Sequence, residues 1–153
     1  MERAGKYLTF CAAFNFGVKV LKIREIMGFQ QDIRPLSGLP DCINWTKGVF
    51  NLRGKAVVVV DLRLKLRFSE ADPGPRTCII VTEVNLNSPT LVGIIVDSVT
   101  EVINITENDV ESAGDFAPSC VVGATSVHGR RYNLIDLDVL FGDGDAAALT
   151  SAG

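Results

Sequence analysis

The apolar residues of this chain fall in short runs separated by glycine, proline, asparagine or aspartate. Such runs predict β-strands, because stiff β-branched residues favour extended backbone and turn residues interrupt it. Valine occurs 18 times and isoleucine 11 times. The pattern predicts strands at residues 7–10, 18–23, 49–52, 57–60, 78–84, 91–96, 121–127 and 132–135. Many short strands with turns between them indicate an all-β barrel or sandwich.

Helical structure is expected only as single turns, since no segment carries a 3.6-residue apolar stripe over four turns. Asp61 and Asp136 are placed to cap short helical turns over residues 62–66 and 137–141. Residues 143–153 are predicted to form a loose tail.

The chain repeats itself at an offset of 75 or 76 residues. Two glycines and an aspartate recur with the same spacing in both halves: Gly48, Gly54 and Asp61, then Gly123, Gly129 and Asp136. A glycine and a glutamate eight residues apart also recur, at positions 17 and 25 and again at 93 and 101. The repeat predicts two copies of one small unit, a first barrel over about residues 14–66 and a second over about 76–141. Gly54 should then superpose on Gly129, and Asp61 on Asp136.

Charge is divided unevenly between the halves. Residues 1–67 carry 12 Lys/Arg against 5 Asp/Glu, whereas residues 68–153 carry 3 against 13. Opposite charges either help the halves to dock or let each half meet a different protein surface. Nucleic acid is disfavoured as a partner, because the basic residues lie scattered beside acids and no aromatic pair follows a basic cluster.

The length and the apolar runs limit where the chain can act. At 153 residues it is about one domain. No apolar run approaches the roughly 18 residues that a membrane span needs, so direct membrane insertion is not expected. The apolar stretch near the N-terminus is too short for a secretory signal. The four cysteines are dispersed, which favours buried thiols in a reducing cytoplasm.

The familiar patterns of catalytic and cofactor sites are missing. The sequence has no glycine-rich phosphate loop and no nucleophile elbow. His128 is the only histidine and is expected at an exposed hairpin tip, away from any cysteine that it could activate. The acids at 107–115 lack the spacing of a calcium loop. We therefore predict no enzymatic activity, no cofactor and no metal site.

The segment from Asn51 to Lys55 predicts a hairpin or a bulge, with Gly54 at positive φ. Arg53 stands there between apolar strands, where an arginine must either snorkel or pair with an acid. Glu25 is the natural partner in the same repeat. The second repeat keeps an acid at Glu101 but has a histidine where the arginine should be. The pair is interpreted either as a structural ion pair or as the frame of a protein-binding surface.

Five segments resemble the CheW family, the coupling proteins of bacterial chemotaxis arrays. They read VLKIREI at residues 20–26, KGVFNLRGK at 47–55, VDLR at 60–63, VGIIVDSV at 92–99 and LIDL at 134–137. The resemblance runs over about residues 6–141. It implies a single CheW-like domain, built from two intertwined five-stranded SH3-like barrels.

The resemblance also implies a function. CheW proteins are non-enzymatic adaptors that couple chemoreceptors, the methyl-accepting chemotaxis proteins, to the histidine kinase CheA. The implied partners are the regulatory domain of CheA, the cytoplasmic tip of the receptors and, in array rings, other CheW copies. The implied location is the cytoplasm, at membrane-associated receptor arrays. The alternative hypothesis is a free-standing small-barrel module that binds peptide or RNA outside chemotaxis.

Site residues follow from the resemblance by matching motif positions. Eight residues fall where family members bind receptor or kinase: Ile23, Glu25, Gly48, Asn51, Leu52, Arg53, Gly54 and Val99. Phe116 matches an aromatic residue that makes a second kinase or array contact, unless it caps the core of its own barrel. The first hairpin, residues 10–17, is one residue shorter than is usual in the family. Phe14 in that hairpin is expected either to contact a partner or to cover the neighbouring barrel.

Overall fold

The computed structural model describes residues 2–29, 32–38, 43–142, 145–146 and 149. Within them the chain forms two five-stranded sheets, which confirms the all-β prediction. None of the described helices is long and apolar enough to cross a membrane. The elements are β1 (Gly5–Ala12), β2 (Phe14–Lys19), a 3₁₀ turn (Val20–Lys22), β3 (Ile23–Gly28), β4 (Thr46–Leu52), β5 (Lys55–Asp61), α1 (Leu62–Lys65), β6 (Cys78–Asn85), β7 (Pro89–Val96), β8 (Ser98–Ile105), a second 3₁₀ turn (Glu107–Asp109), β9 (Val121–Val127), β10 (Arg130–Ile135) and α2 (Leu137–Leu140).

Each sheet takes strands from both halves of the chain. Sheet A has the order β8-β1-β2-β10-β9, and sheet B has the order β3-β6-β7-β5-β4. A shift of five strands along the chain converts one order into the other, and it also converts the parallel pair β2–β10 into β7–β5. The sequence repeat is therefore a pseudo-twofold relation between two intertwined sheets.

The expected barrel boundaries do not coincide with these sheets. Residues 14–66 include β2 of sheet A and β3 to β5 of sheet B, while residues 76–141 include β6 and β7 of sheet B and the last three strands of sheet A. The difference between the expected barrels and the observed sheets has a local cause. Residues 18–23, expected as one strand, bend through the 3₁₀ turn Val20–Lys22, and there the chain leaves one sheet for the other.

The two repeated hairpins share one turn geometry. Arg53 and Gly54 have φ values of 50° and 87°, and His128 and Gly129 have 51° and 78°. Two central residues at positive φ, joining strands across a two-residue loop, form the type I′ turn that suits twisted strands. The glycine in each pair adopts this conformation easily, whereas the arginine and the histidine are held in a disfavoured one.

The repeated aspartates do what the sequence predicts. Asp61 and Asp136 cap α1 and α2, because the Asp61 carboxylate accepts from the amides of Arg63 and Leu64 and the Asp136 carboxylate accepts from the amide of Asp138. Their own amides donate to equivalent carbonyl groups, of Trp45 and of Cys120, each at 2.8 Å. The repeat therefore extends to individual hydrogen bonds.

Two ion pairs also occupy equivalent places, but with the charges exchanged. Arg63 donates to Asp97 at 2.9 and 2.7 Å, and Lys22 donates to Asp138 at 3.1 and 2.9 Å. Positions 22 and 97, like positions 63 and 138, are separated by the repeat offset. The same structural position therefore carries a base in one half and an acid in the other.

The largest core lies between the two sheets and includes residues of both helices, such as Leu62 and Leu137. Each sheet adds a smaller cluster of its own. Phe50, Val57, Val59, Ile79 and Val81 form the cluster of sheet B. Tyr7, Ile103, Ile105 and Leu134 form that of sheet A. Burial raises the pKa of Tyr7 to about 12, consistent with its place in the interior.

The expectation of a loose tail is wrong for the described residues beyond 143. Leu149 is only 2% exposed and belongs to the core between the sheets, and Ala146 is buried as well. Asp145 forms an ion pair with Lys65 at 2.9 Å, and the Lys65 ammonium lies 4.7 Å from the centre of the Trp45 ring. A single leucine among alanines carries too weak a pattern for the sequence to predict this contact. The other residues of 143–153 lie outside the described residues.

The charge difference between the halves is largely used in pairing them. Six of the nine ion pairs among the described residues join residues 1–67 to residues 68–153. Since each sheet contains strands from both halves, these pairs help to hold the two halves together. The structure thus favours the interpretation in which opposite charges help the halves to dock.

Candidate functional site

A groove of about 560 Å³ lies on sheet B and contains three of the sequence-predicted site residues. These are Glu25 on β3, Leu52 at the end of β4 and Arg53 in the turn that follows. The remaining lining comes from neighbouring strands and the C-terminal segment: Arg24, Lys55, Ala56, Val81, Glu83, Pro89, Thr90, Leu91 and Leu149. We call it the Arg53 groove.

The turn at one end of the groove is built to present Arg53. The Asn51 side-chain oxygen accepts a hydrogen bond from the Gly54 amide at 2.8 Å, which closes the turn. Gly54 has open space around its Cα, so its positive φ rather than crowding requires glycine. Asn51 and Gly54 therefore shape the loop, and Arg53 is the residue that the loop exposes.

Arg53 and Glu25, the pair predicted from the sequence, are in contact. The Arg53 guanidinium donates to Glu25 Oε1, and this hydrogen bond raises the pKa of Arg53 above its usual value. The Arg53 side chain is 72% exposed and that of Glu25 is 28% exposed. An ion pair so open to water is screened and adds little to stability. Its main effect is to orient the guanidinium over the groove.

A second ion pair crosses the groove between β3 and β6. Arg24 donates to Glu83 at 2.6 Å, and its guanidinium also reaches the Leu21 carbonyl at 3.1 Å. Apolar side chains line the groove beside these pairs, including Leu52, Leu91 and Leu149. The arrangement is an apolar strip flanked by two neutralised charge pairs, which suits an amphipathic partner better than a small charged ligand.

Gly48 has a structural role and does not line the groove. Its φ is +138°, and a Cβ at this position would lie 2.1 Å from the Arg34 carbonyl oxygen. Arg34 and Val49 bond to each other through backbone groups at 2.8 and 2.9 Å, which holds the chain against the outer edge of β4. No side chain fits between these backbones.

Ile23 and Val99 also lie outside the groove lining. Both are half-buried and pack against the core between the sheets. Ile23 begins β3 opposite Thr82, and Val99 lies on β8 opposite Phe10. Because β3 and β8 are equivalent edge strands of the two sheets, these residues mark two different edges of the molecule.

Phe116 forms a separate feature. Its side chain is fully exposed, at 102% relative exposure, so it does not cap the core of its own barrel. Beside it in sequence, Ala117 and Pro118 line a mostly apolar groove of about 190 Å³. Phe14 lies in the same groove and contacts Phe68, with ring centres 5.1 Å apart. The shortened first hairpin thus covers part of its own molecule and leaves Phe14 57% exposed.

The second repeat lacks the equivalent of the Arg53 pair. Among the described residues, neither His128 nor Glu101 forms an ion pair, although the turn geometry is the same. The backbone of Glu101 instead contacts the buried Thr9 hydroxyl, which donates to its carbonyl at 2.8 Å and lies 3.1 Å from its amide. Of the two repeated turns, the one in the first repeat therefore exposes a paired arginine.

Several groove residues could not be selected from the sequence. Arg24 lies between half-buried residues on β3, and Glu83 lies between buried residues on β6, a pattern that any partly exposed strand face shows. Leu91 belongs to a run that predicts only a strand. Their shared groove depends on the pairing of β3 with β6, which lies 50 or more residues further along the chain. The one hint in the sequence is that Arg24 stands next to Glu25, so that a second ion pair could form beside the first.

The comparisons with known proteins agree with this architecture. The family model described as CheW-like domain matches residues 6–147. The chain is 31% identical to the chemotaxis protein CheW of Rhizobium meliloti, over 92% of this chain and 95% of that protein. It is 32% identical to the chemotaxis protein CheW of Klebsiella aerogenes, over 87% of this chain and 78% of that protein.

A solved structure supports the same assignment. The crystal structure of scaffolding protein TtCheW from Thermoanaerobacter tengcongensis is similar with a TM-score of 0.77 at 25% identity, covering 93% of this chain and 90% of that one. The two five-stranded sheets are thus the SH3-like barrels that the resemblance implies. The chain belongs to the CheW-like family, and it is a scaffold or adaptor protein of chemotaxis.

Proposed function

We propose that this chain couples chemoreceptors to the histidine kinase CheA, and that the Arg53 groove is a principal partner-binding surface. One observation carries the proposal. Arg53 is held at a positive φ of 50°, exposed, and aimed by Glu25 beside an apolar strip. The same turn in the second repeat carries His128, which forms no ion pair among the described residues, so the oriented guanidinium belongs to the first repeat alone.

The proposed partner of the groove is the helical tip of a receptor. An amphipathic helix lays its apolar side chains into such a strip, while its polar flanks meet the charges on either side. Leu52 and Leu91 would contact the apolar face, and Arg53 would donate to a backbone carbonyl of the helix. We infer that the adaptor acts in the cytoplasm, at the arrays that its receptors form. The RNA-binding alternative finds no support here, since Glu25 and Glu83 neutralise the two arginines that phosphates would need.

We assign the kinase contact to surfaces away from this groove. The Phe116 side chain is fully exposed and does not stabilise the fold. An exposed aromatic side chain of this kind can bind in a pocket of a partner and anchor the interface. Ile23 and Val99 lie on free sheet edges, where a second barrel could dock. An adaptor needs such separate surfaces, because receptor and kinase must bind at the same time.

The test is Arg53→Ala, measured by binding to a receptor cytoplasmic fragment and to the CheA regulatory domain. Affinity for the receptor fragment should fall about 30-fold, because truncating an arginine anchor typically removes about 2 kcal/mol of binding. The melting temperature should stay the same, since the pair is exposed. Receptor-controlled kinase activity in membranes should fall with the affinity.

The matched control is Arg131→Ala on β10 of sheet A. Arg131 is also exposed, though less so at 49%, and it pairs with an acid, Glu111, at 3.3 Å, but it does not line the groove. Its removal should change neither binding nor stability. Unchanged receptor binding after Arg53→Ala, in a folded protein, would remove the groove from the receptor interface.

A further inference from the structure

The Arg53 groove carries more positive charge than its own acids neutralise. Its lining includes three bases, Arg24, Arg53 and Lys55, and two acids, Glu25 and Glu83. Each arginine is paired with one of the acids. Lys55 forms no ion pair and no side-chain hydrogen bond within the described part of the chain. The groove therefore contains one ammonium group whose counter-charge these residues do not provide.

Lys55 lies between the apolar strip and the turn that presents Arg53. It is the first residue of β5, directly after that turn, and it pairs across the hairpin with Leu52. The residue is exposed. A lysine in such a place lays its methylene stem along apolar surface and keeps its ammonium in water. A helix that lies in the strip would meet this ammonium at its flank.

Docking of a helix changes the surroundings of the Lys55 ammonium. The helix displaces part of its water, and an ammonium that loses water without gaining a partner opposes binding. A carboxylate on the flank of the helix compensates for that loss, whereas a basic side chain at the same place repels the lysine. Lys55 therefore discriminates between helices that are equally apolar but differ in charge.

Lys55 and Arg53 are suited to recognise different features of one helix. Glu25 neutralises and orients the Arg53 guanidinium, which is left to make a directed hydrogen bond. The Lys55 ammonium is tied to no other group among the described residues. As a compact charge on a flexible stem, it responds to the charge of a partner more than to its exact geometry.

We propose that Lys55 is a specificity-determining residue of the Arg53 groove, and that it selects a receptor helix bearing a carboxylate beside its apolar face. The inference rests on the proposed function of that groove and adds the chemistry of the partner. The second repeat provides a comparison. Arg130 lies 75 residues further along, directly after the equivalent turn, and is also exposed, but it does not line the groove.

The experiment measures how Lys55→Met and Lys55→Glu change binding of the whole chain to a receptor cytoplasmic fragment. Methionine keeps most of the apolar stem and removes the charge, so affinity should fall about threefold at an ionic strength of about 0.05 M. Glutamate reverses the charge and should weaken binding at least about tenfold, with part of the loss in the association rate. Both losses should shrink below about twofold near 1 M salt, where the screening length is about 3 Å. The melting temperature should stay the same, because Lys55 is exposed and unpaired.

Arg130→Glu is the matched control, since it makes the same change in net charge outside the groove. It should leave the affinity for the fragment unchanged at both salt concentrations. The partner side is tested by replacing the acids of the fragment with lysine, one at a time. At least one of these exchanges should make the fragment bind the Lys55→Glu chain more tightly than the unaltered fragment does.

Equal affinities of the two Lys55 variants and the unaltered chain at low salt would overturn the inference. An equal loss in Arg130→Glu would overturn it as well, as would a set of lysine exchanges in which none compensates. If Arg53→Ala weakens receptor binding while the Lys55 variants do not, only this inference fails. If Arg53→Ala leaves receptor binding unchanged, the proposed function of the groove fails instead.

Discussion

Replacing Phe116 by serine should separate assembly from folding. The Phe116 side chain is fully exposed and loses no intramolecular contact when it is truncated. The free energy of unfolding should therefore change by no more than about 0.5 kcal/mol, the usual range for exposed positions. For a chain of this length that corresponds to a shift in melting temperature of about 2 °C or less.

Binding should respond very differently. An exposed aromatic anchor typically contributes about 2 kcal/mol or more to an interface, which is about 30-fold in affinity. The assay pairs thermal unfolding with array formation on receptor-bearing membranes. Units of receptor, adaptor and kinase should still form, because the Arg53 groove is intact, whereas the higher assembly of these units should weaken.

Phe14→Ser is the matched control for this prediction. Phe14 is another exposed phenylalanine, but it is 57% exposed and packs on Phe68. Its truncation should lower the melting temperature clearly more than that of Phe116. A large loss of stability in Phe116→Ser would mean that the residue supports the fold. Unchanged stability together with unchanged assembly would remove Phe116 from any interface.

Two further predictions concern the fold itself. Gly48→Ala should destabilise the protein by about 3 kcal/mol in urea unfolding, since it adds strain at positive φ and a clash with the Arg34 carbonyl; Gly54→Ala, with open space around it, should cost only about 1 kcal/mol, and equal losses would contradict this account. Burial favours a raised pKa for Asp97, but hydrogen bonds from Arg63 and a backbone amide outweigh it and hold the pKa below its usual value. Its carboxylate therefore stabilises the fold at neutral pH, and this contribution is lost as the pH falls below about 4 through the folded-state pKa. Asp97→Asn should flatten that acid-induced loss in unfolding experiments, and an unaltered acid limb would show that the ion pair does not contribute.

The sequence predicts local geometry well where a few residues determine it. The turns at Gly54 and Gly129 and the caps at Asp61 and Asp136 depend on neighbours in the chain, and they are found where the repeat places them. The sequence does not predict the strand β8, because only two of its eight residues are buried and an exposed edge strand lacks a clear apolar pattern.

The path of the chain between sheets could not be predicted from the repeat alone. Two equal units have equivalent strand edges, so β3 can pair within its own unit or with β6 of the other at similar energy. The bend at Val20–Lys22 decides this, and its residues read as a continuous strand. The same limit applies to the Arg53 groove, because part of its lining comes from β6 and β7. The resemblance to the CheW family predicts the intertwined arrangement, which the local pattern does not.

The exchange of strands between the two sheets constrains how the protein is made. On the ribosome, β1 and β2 emerge long before β8 and β10, their neighbours in sheet A, have been synthesised. A nascent chain that ends after residue 66 therefore contains no complete sheet, and its apolar edges have no partners. Closing contacts between segments so distant in sequence is slow, because the intervening chain must lose its freedom first. Folding must then wait for the last strand, and fragments from early termination become substrates for chaperones or proteases rather than half-functional adaptors.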